Sequence, residues 1–274
     1  MARFSLGRIV RLSLVAPVIM MAAPSVQAGV GDLLVAPTRV VLNGRRGTEV
    51  ILNNIGEETA TYRISAELRR MGPDGKLEDV DLANDLEKAA QEMVLFAPRK
   101  VTLPPSQPQA IRLSARAPEG LPDGEYRIHL MFRAVPPPIP QVAPRKTDGI
   151  SFALRPIYGV TIPVIVRLGN LEAKAALSNI RKVTDNGQPA IALDVSRSGS
   201  RSTFGEIRVL KAGVADPIAI TRGVAVYTEI GERSVIIPID PAQLANASGQ
   251  VTVQYVEPTD TGPVTIAETS AVLR

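Results

Sequence analysis

The stretch FALRPIYGVTIPVIVRLG, residues 152–169, decides how the rest of the chain is read. Counting every second residue gives Phe152, Leu154, Pro156, Tyr158, Val160, Ile162, Val164 and Val166. That period of two is a strand signal, and it runs well past the roughly five or six residues of an ordinary strand. Two explanations compete. Either the ladder is a central strand buried on both faces, or part of it carries apolar side chains meant for another molecule.

Immediately before the ladder, residues 136–148 read PPPIPQVAPRKTD. The prolines remove backbone donors and hold the chain extended, so this segment cannot pair as a central strand. It reads as a long hairpin connection in preference to a docking motif for a proline-binding domain.

Upstream, turn signals punctuate short apolar runs at the spacing of a β-sandwich. LLVAPTRVVL (33–42) ends at Asn43-Gly44, and TEVILNN (48–54) and TATYRISAELRR (59–70) follow before the Gly72-Pro73-Asp74-Gly75 turn. Further strands are expected at 93–97, 100–103 and 109–116, then GEYRIHLMFRAV at 124–135. DLANDLEKAAQE (81–92) breaks the pattern with helix formers and acidic charge; it reads as a short helix or an ordered acidic loop, and as a solvated connection without chemistry.

Downstream of Arg167-Leu168-Gly169-Asn170 a second series begins, with strands expected at 172–176, 190–196, 206–211, 224–227, 234–239, 250–256 and 264–273. Asp185-Asn186-Gly187 and Ile230-Gly231 mark turns between them. The expected fold class is therefore all-β, two sandwich domains joined near residue 169.

The N-terminus is expected to be a cleaved export signal, residues 1–28: Arg3, Arg8 and Arg11 precede an apolar run at 12–23, and Val26-Gln27-Ala28 gives the small residues a signal peptidase reads. Pro17 and Pro24 interrupt a run already short of the roughly 20 residues that span a bilayer. No later stretch is a candidate to insert in a membrane.

Composition removes several kinds of chemistry. The 274 residues contain no cysteine, no tryptophan and a single histidine, His129. Zinc sites built from His and Cys, cysteine nucleophiles and redox pairs are excluded, and a Ser-His-Asp triad would depend on one imidazole. His129 lies between Ile128 and Leu130 in an alternating strand with no Gly-x-Ser-x-Gly turn nearby, so it reads as a packed or surface residue and the protein as no enzyme. No cofactor or metal is expected. The net charge of +4 is dispersed, and with five Phe and five Tyr there is no stacking platform for nucleic acid.

Three stretches, taken in order, resemble the periplasmic pilus and fimbrial assembly chaperones of the chaperone-usher pathway: APTRVVLNG (36–44), PRKVTLPPSQPQAIRLSAR (98–116) and LPDGEYRIHLMFRAVP (121–136). The residues also have plain structural readings. Leu121-Pro122-Asp123-Gly124 delivers Tyr126 to a strand start, where a tyrosine corner would return its hydroxyl to turn backbone, and Pro98, Pro104 and Pro105 stop strands.

The resemblance implies two immunoglobulin-like sandwiches arranged at an angle, 29–168 and 169–274, in a periplasmic protein that binds and caps fibre subunits. Its last first-domain strand would complete a subunit whose own sandwich lacks a strand, a mode of strand addition in which backbone bonds give affinity and alternate side chains enter pockets. Phe152, Leu154, Tyr158 and Val160 are the expected donor residues, with Val164 and Val166 in the domain's own core. Four such side chains contribute about 6 to 12 kcal/mol before ordering costs. Partners implied in the same way are secreted subunits and an outer-membrane usher.

The resemblance further implies that Arg39 binds the subunit's terminal carboxylate, for which a guanidinium fork is suited. Where many of the family carry a lysine in the ladder, this chain has Pro163, so either Arg39 acts alone, another cation such as Arg112 or Arg127 assists, or the subunit end is held mainly through backbone contacts. Glu125, Arg167 and an acid near the end of the chain, best matched by Asp260 with Glu257 close by, are expected to orient the domains. A free strand edge would need covering by the proline-rich segment or by self-association. The rival reading is an immunoglobulin-like pilus subunit or adhesive surface protein, which would show an N-terminal apolar extension; residues 29–32 are too few for one.

Overall fold

The computed structural model describes residues 32–44, 46–136 and 157–274. The export signal, the proline-rich segment after Pro136 and two of the expected donor residues, Phe152 and Leu154, lie outside the described residues.

The described chain folds into two β-sandwiches. In the first, a four-stranded sheet of order β1-β3-β9-β7 faces a five-stranded sheet of order β2-β11-β10-β4-β8. The run 33–42 is split, because β1 (Leu33–Ala36) pairs with β3 (Thr48–Asn54) while β2 (Val40–Leu42) pairs in parallel with β11 (Gly159–Leu168). Pro37, Thr38 and Arg39 carry the chain from one sheet to the other. The remaining strands of this sandwich are β4 (Ala60–Glu67), β7 (Val94–Ala97), β8 (Lys100–Leu103), β9 (Pro108–Ala115) and β10 (Gly124–Val135).

Alternation sorts β10 cleanly. Tyr126, Ile128, Leu130 and Phe132 enter the first core with Ile162, Val164 and Val166 of β11. The intervening Arg127 and His129 face the other way. Tyr126 forms the tyrosine corner, its hydroxyl donating to the Pro122 carbonyl at 2.6 Å.

Between β4 and β7 the chain makes a hairpin, β5 (Arg69–Met71) and β6 (Leu77–Asp79), then α1 (Asp85–Met93), the one α-helix among the described residues. Asn84 caps it: the side chain accepts from Glu87 N at 2.9 Å, and Glu87 Oε2 accepts from Asn84 N at 2.8 Å. Ala90 and Met93 anchor the helix on the first core.

The second sandwich pairs a three-stranded sheet, β12-β13-β16, with a four-stranded sheet, β15-β14-β17-β18. Its strands are β12 (Ala173–Asp185), β13 (Gln188–Gly199), β14 (Thr203–Leu210), β15 (Ala219–Val226), β16 (Glu232–Pro238), β17 (Gly249–Thr259) and β18 (Gly262–Leu273). Ile191, Leu193, Val195, Val209, Val253 and Tyr255 are among its fully enclosed side chains. The two cores share no residue. A third, smaller cluster of Met71, Ile165, Ala225 and Tyr227, with Phe204 and Ile230 against it, joins the sandwiches.

Candidate functional site

Strand β11 changes character along its length. Its amide pattern follows from one bond, Ala134 N donating to Tyr158 O at 2.9 Å. Hydrogen-bonded and non-bonded pairs alternate in an antiparallel ladder, so Val160, Ile162 and Val164 direct N–H and C=O at β10. Gly159, Thr161, Pro163 and Ile165 direct theirs to the opposite edge. There β2 pairs with Val164, Ile165 and Val166 only. Among the described residues no strand pairs with the outer edge of residues 159–163.

Pro163 sits opposite His129 of β10, where a missing N–H costs that ladder nothing. It removes an outward donor instead. Of the expected donor side chains inside the described residues, Tyr158 is 53% exposed, whereas Val160 is partly buried against the first core.

Arg39, at the entrance to β2, turns toward the second sandwich. Its guanidinium lies 4.5 Å from the Phe204 ring centroid and 5.8 Å from that of Tyr227, and Nη2 donates to Ser202 Oγ at 3.2 Å. Nη1 is buried with no partner. Desolvation lowers the Arg39 pKa, and the nearby Arg167 pushes the same way while Tyr227 and Glu125 oppose it.

Glu125 and Arg167, facing each other across β10 and β11, form an ion pair at 3.0 Å. The Glu125 side chain is almost wholly enclosed, and its Oε2 also accepts from Ser202 N at 3.1 Å. Asp260, the expected third member, lines a 770 Å³ cleft with Arg46, Arg167 and Arg201, but bonds to neither Glu125 nor Arg167. The acid engaged beside this cluster is Glu257, whose two oxygens accept from Arg201 at 2.8 and 2.9 Å.

Neither alternative second cation is loose. Arg112 pairs with Glu49 on the outer face of the four-stranded sheet, at 3.3 Å. Arg127 donates to both oxygens of Glu229 at 3.1 and 2.5 Å and to the Arg69 carbonyl at 2.9 Å, and it stacks 3.6 Å from the Tyr227 centroid.

His129 is fully enclosed and meets Tyr227 edge-on, ring centroids 6.4 Å apart. Neither ring nitrogen has a partner, and burial, reinforced by Arg127, Arg69 and Arg39, lowers its pKa to about 3. A neutral, packed imidazole is what this setting permits. No side chain among the described residues hydrogen-bonds to it, and no group of three or more His, Asp or Glu among them could hold a metal.

Sequence reasoning missed the second-sandwich half of this region: Ser202, Phe204, Tyr227 and Glu229. Their side chains point away from their own core, so the period-two signal that reveals core residues says nothing about them.

No family model matches the chain, and no curated protein sequence matches it. Solved structures of similar layout include the YadV chaperone, at TM-score 0.47 and 15% identity over 88% of this chain and 100% of that one. The Pseudomonas aeruginosa CupB2 chaperone gives 0.45 and 14% over 88% and 100%. A chain from the Salmonella enterica SafA pilin complex with the SafB chaperone gives 0.44 and 16% over 88% and 96%. Likeness of this degree leaves the function to be argued from the chain's own residues. No helix among the described residues is long and apolar enough to cross a membrane.

Proposed function

We propose that this protein is a periplasmic assembly chaperone, non-enzymatic, that stabilises and caps secreted fibre subunits by adding a strand to them and yields them at an outer-membrane usher. The carrying observation is the half-open edge of β11: an apolar strand held by β10 on one side and, over residues 159–163, by no described strand on the other. A buried central strand needs both neighbours. Here the backbone groups of Gly159 and Thr161 face outward from a rigid sandwich, the arrangement that strand addition requires.

In this reading Phe152, Leu154 and Tyr158 fill the subunit's open core, and Val160 sits at the transition to the chaperone's own. Arg39 is the cation assigned to the subunit's terminal carboxylate; its Nη1 is buried without a protein partner, so the carboxylate reaches it once the guanidinium turns out of its seat. Two parallel bonds would also require Ser202 Oγ to release Nη2. Glu125 and Arg167, with Ser202, orient the two domains, 29–168 and 169–274.

The test is co-expression with small secreted candidate subunits, followed by co-purification. Wild-type protein captures a subunit, and Leu154→Asp and Tyr158→Asp lose it while the chaperone itself remains folded. Capture unchanged in both variants would overturn the site.

A further inference from the structure

The loop that follows β15 brings Tyr227 and Glu229 against three side chains of the first sandwich. Arg127 stacks on the Tyr227 ring at 3.6 Å, Arg39 lies at 5.8 Å and His129 meets it edge-on at 6.4 Å. Glu229 then ties down the same arginine through both of its oxygens, and Oε1 also accepts from Met71 N at 2.8 Å. With side-chain exposures of 9% for Arg127 and 25% for Glu229, this pair is shielded from the solvent that weakens surface ion pairs.

A second contact extends the region. The β5–β6 turn reaches the edge strand of the other sandwich, where Ser234 N donates to the Pro73 carbonyl at 2.9 Å. Gly75, at φ +80°, leaves room for the Arg233 guanidinium to lie over it. Met71 continues the contact into the apolar cluster with Ile165, Ala225 and Tyr227.

We infer that Tyr227 and Glu229 form a socket that fixes the angle between the two sandwiches and, through it, the position of Arg39. They are positioning residues. The socket adjoins the Glu125, Arg167 and Ser202 cluster, with Glu125 two positions from Arg127 on β10, but its ion pair is a different one, so the angle is held by two attachments. Two attachments suppress rotation that one alone would leave open. Arg39 stacks on Phe204 between them, which makes its seat a product of the angle.

This inference holds whether or not a fibre subunit is the partner, and its test needs no ligand. Because the chain lacks cysteine, Ser114→Cys and Ser270→Cys place one nitroxide on an exposed site of each sandwich, and pulsed electron spin resonance reads the distance between them. Wild-type protein gives a single narrow distribution. Glu229→Gln, which keeps the side-chain volume, and Tyr227→Leu broaden or split it, whereas Glu206→Gln, which removes the ion pairs with Arg208 and Arg222 internal to the second sandwich, leaves it unchanged. Unfolding midpoints separate a loosened joint from a damaged domain. Should Tyr227→Leu unfold the second sandwich, Glu229→Gln decides alone. A wild-type distribution in a folded Glu229→Gln protein would overturn the inference.

Discussion

Both ends of β11 carry apolar side chains at every second position, and their situations are opposite. From Val164 to Val166 the strand has β10 on one edge and β2 on the other, with the first core below it and the joint between sandwiches above. From Gly159 to Pro163 it has β10 alone among the described strands. Side chains do not distinguish the ends, since Val160, Ile162 and Val164 continue one ladder. Backbone does. Whether a strand is architecture or an offered surface is decided here by which of its amides already have partners.

Amide exchange is the strongest way to break this comparison. Local opening energies run from about zero at unpaired positions to the full global stability at paired ones. Ile162 and Ile165 are expected near the global limit, because β10 and β2 respectively hold their amides, and Gly159 and Thr161 near zero. Measured by NMR, equal protection at Thr161 and Ile162 would mean that the outer edge is covered.

Substitution sharpens the same contrast. Val164→Asp places an unpaired carboxylate in a fully enclosed site and is expected to cost more than about 3 kcal/mol in urea unfolding. Tyr158→Asp, at the exposed end, is expected to stay within about 0.5 kcal/mol.

At the joint, pH supplies a third test. Folded His129 has its pKa lowered to about 3, against 6.5 for the free side chain. Both states are neutral above pH 6.5, and below it the unfolded chain takes up a proton that the folded one refuses. Stability is therefore full above pH 6.5 and falls as pH drops toward 3, by at most about 1.4 kcal/mol per pH unit from this residue. Between pH 6.5 and 5, above the range of ordinary carboxylates, His129→Leu is expected to flatten the slope. The charges acting on the imidazole are those of Arg127, Arg69 and Arg39, Tyr227 meets it edge-on, and Glu67 is its cross-strand neighbour on β4.

A modest loss is expected at the tyrosine corner. Tyr126→Phe loses one short hydrogen bond to the Pro122 carbonyl and is expected to cost about 1 kcal/mol. Chemical denaturation resolves a change of that size.

Much of the architecture was legible because strand period and turn chemistry are local. The run 124–135 and the run 100–103 coincide with β10 and β8, and Tyr126 makes the corner that its spacing after Leu121-Pro122-Asp123-Gly124 indicates. The first run, 33–42, read as one strand but serves two sheets, since apolar alternation continues across Pro37–Arg39 while the pairing partner changes. The 172–176 strand proves much longer, as β12 pairs with β13 through a bulge after Ser178 that disturbs its alternation.

The candidate site was legible by halves. Glu125 and Arg167 could be named only through the resemblance; the register of β10 and β11 places them opposite each other as an ion pair, and their orienting role is a proposal. Asp260 is the third acid that the resemblance indicates, whereas Arg201 engages Glu257 three positions away, a difference that only packing shows. Arg127 looked like a spare cation in the sequence. Its partner Glu229 lies 102 positions away, beyond the reach of any local pattern.

Chain order gives the joint a further meaning. Every first-sandwich member of it, from Arg39 through Pro73 to Arg127 and His129, precedes every second-sandwich member, from Ser202 to Ser234. As the polypeptide emerges N-terminus first, the mould for Tyr227 can be complete before Tyr227 exists, so the earlier half serves as a template on which the later half is set.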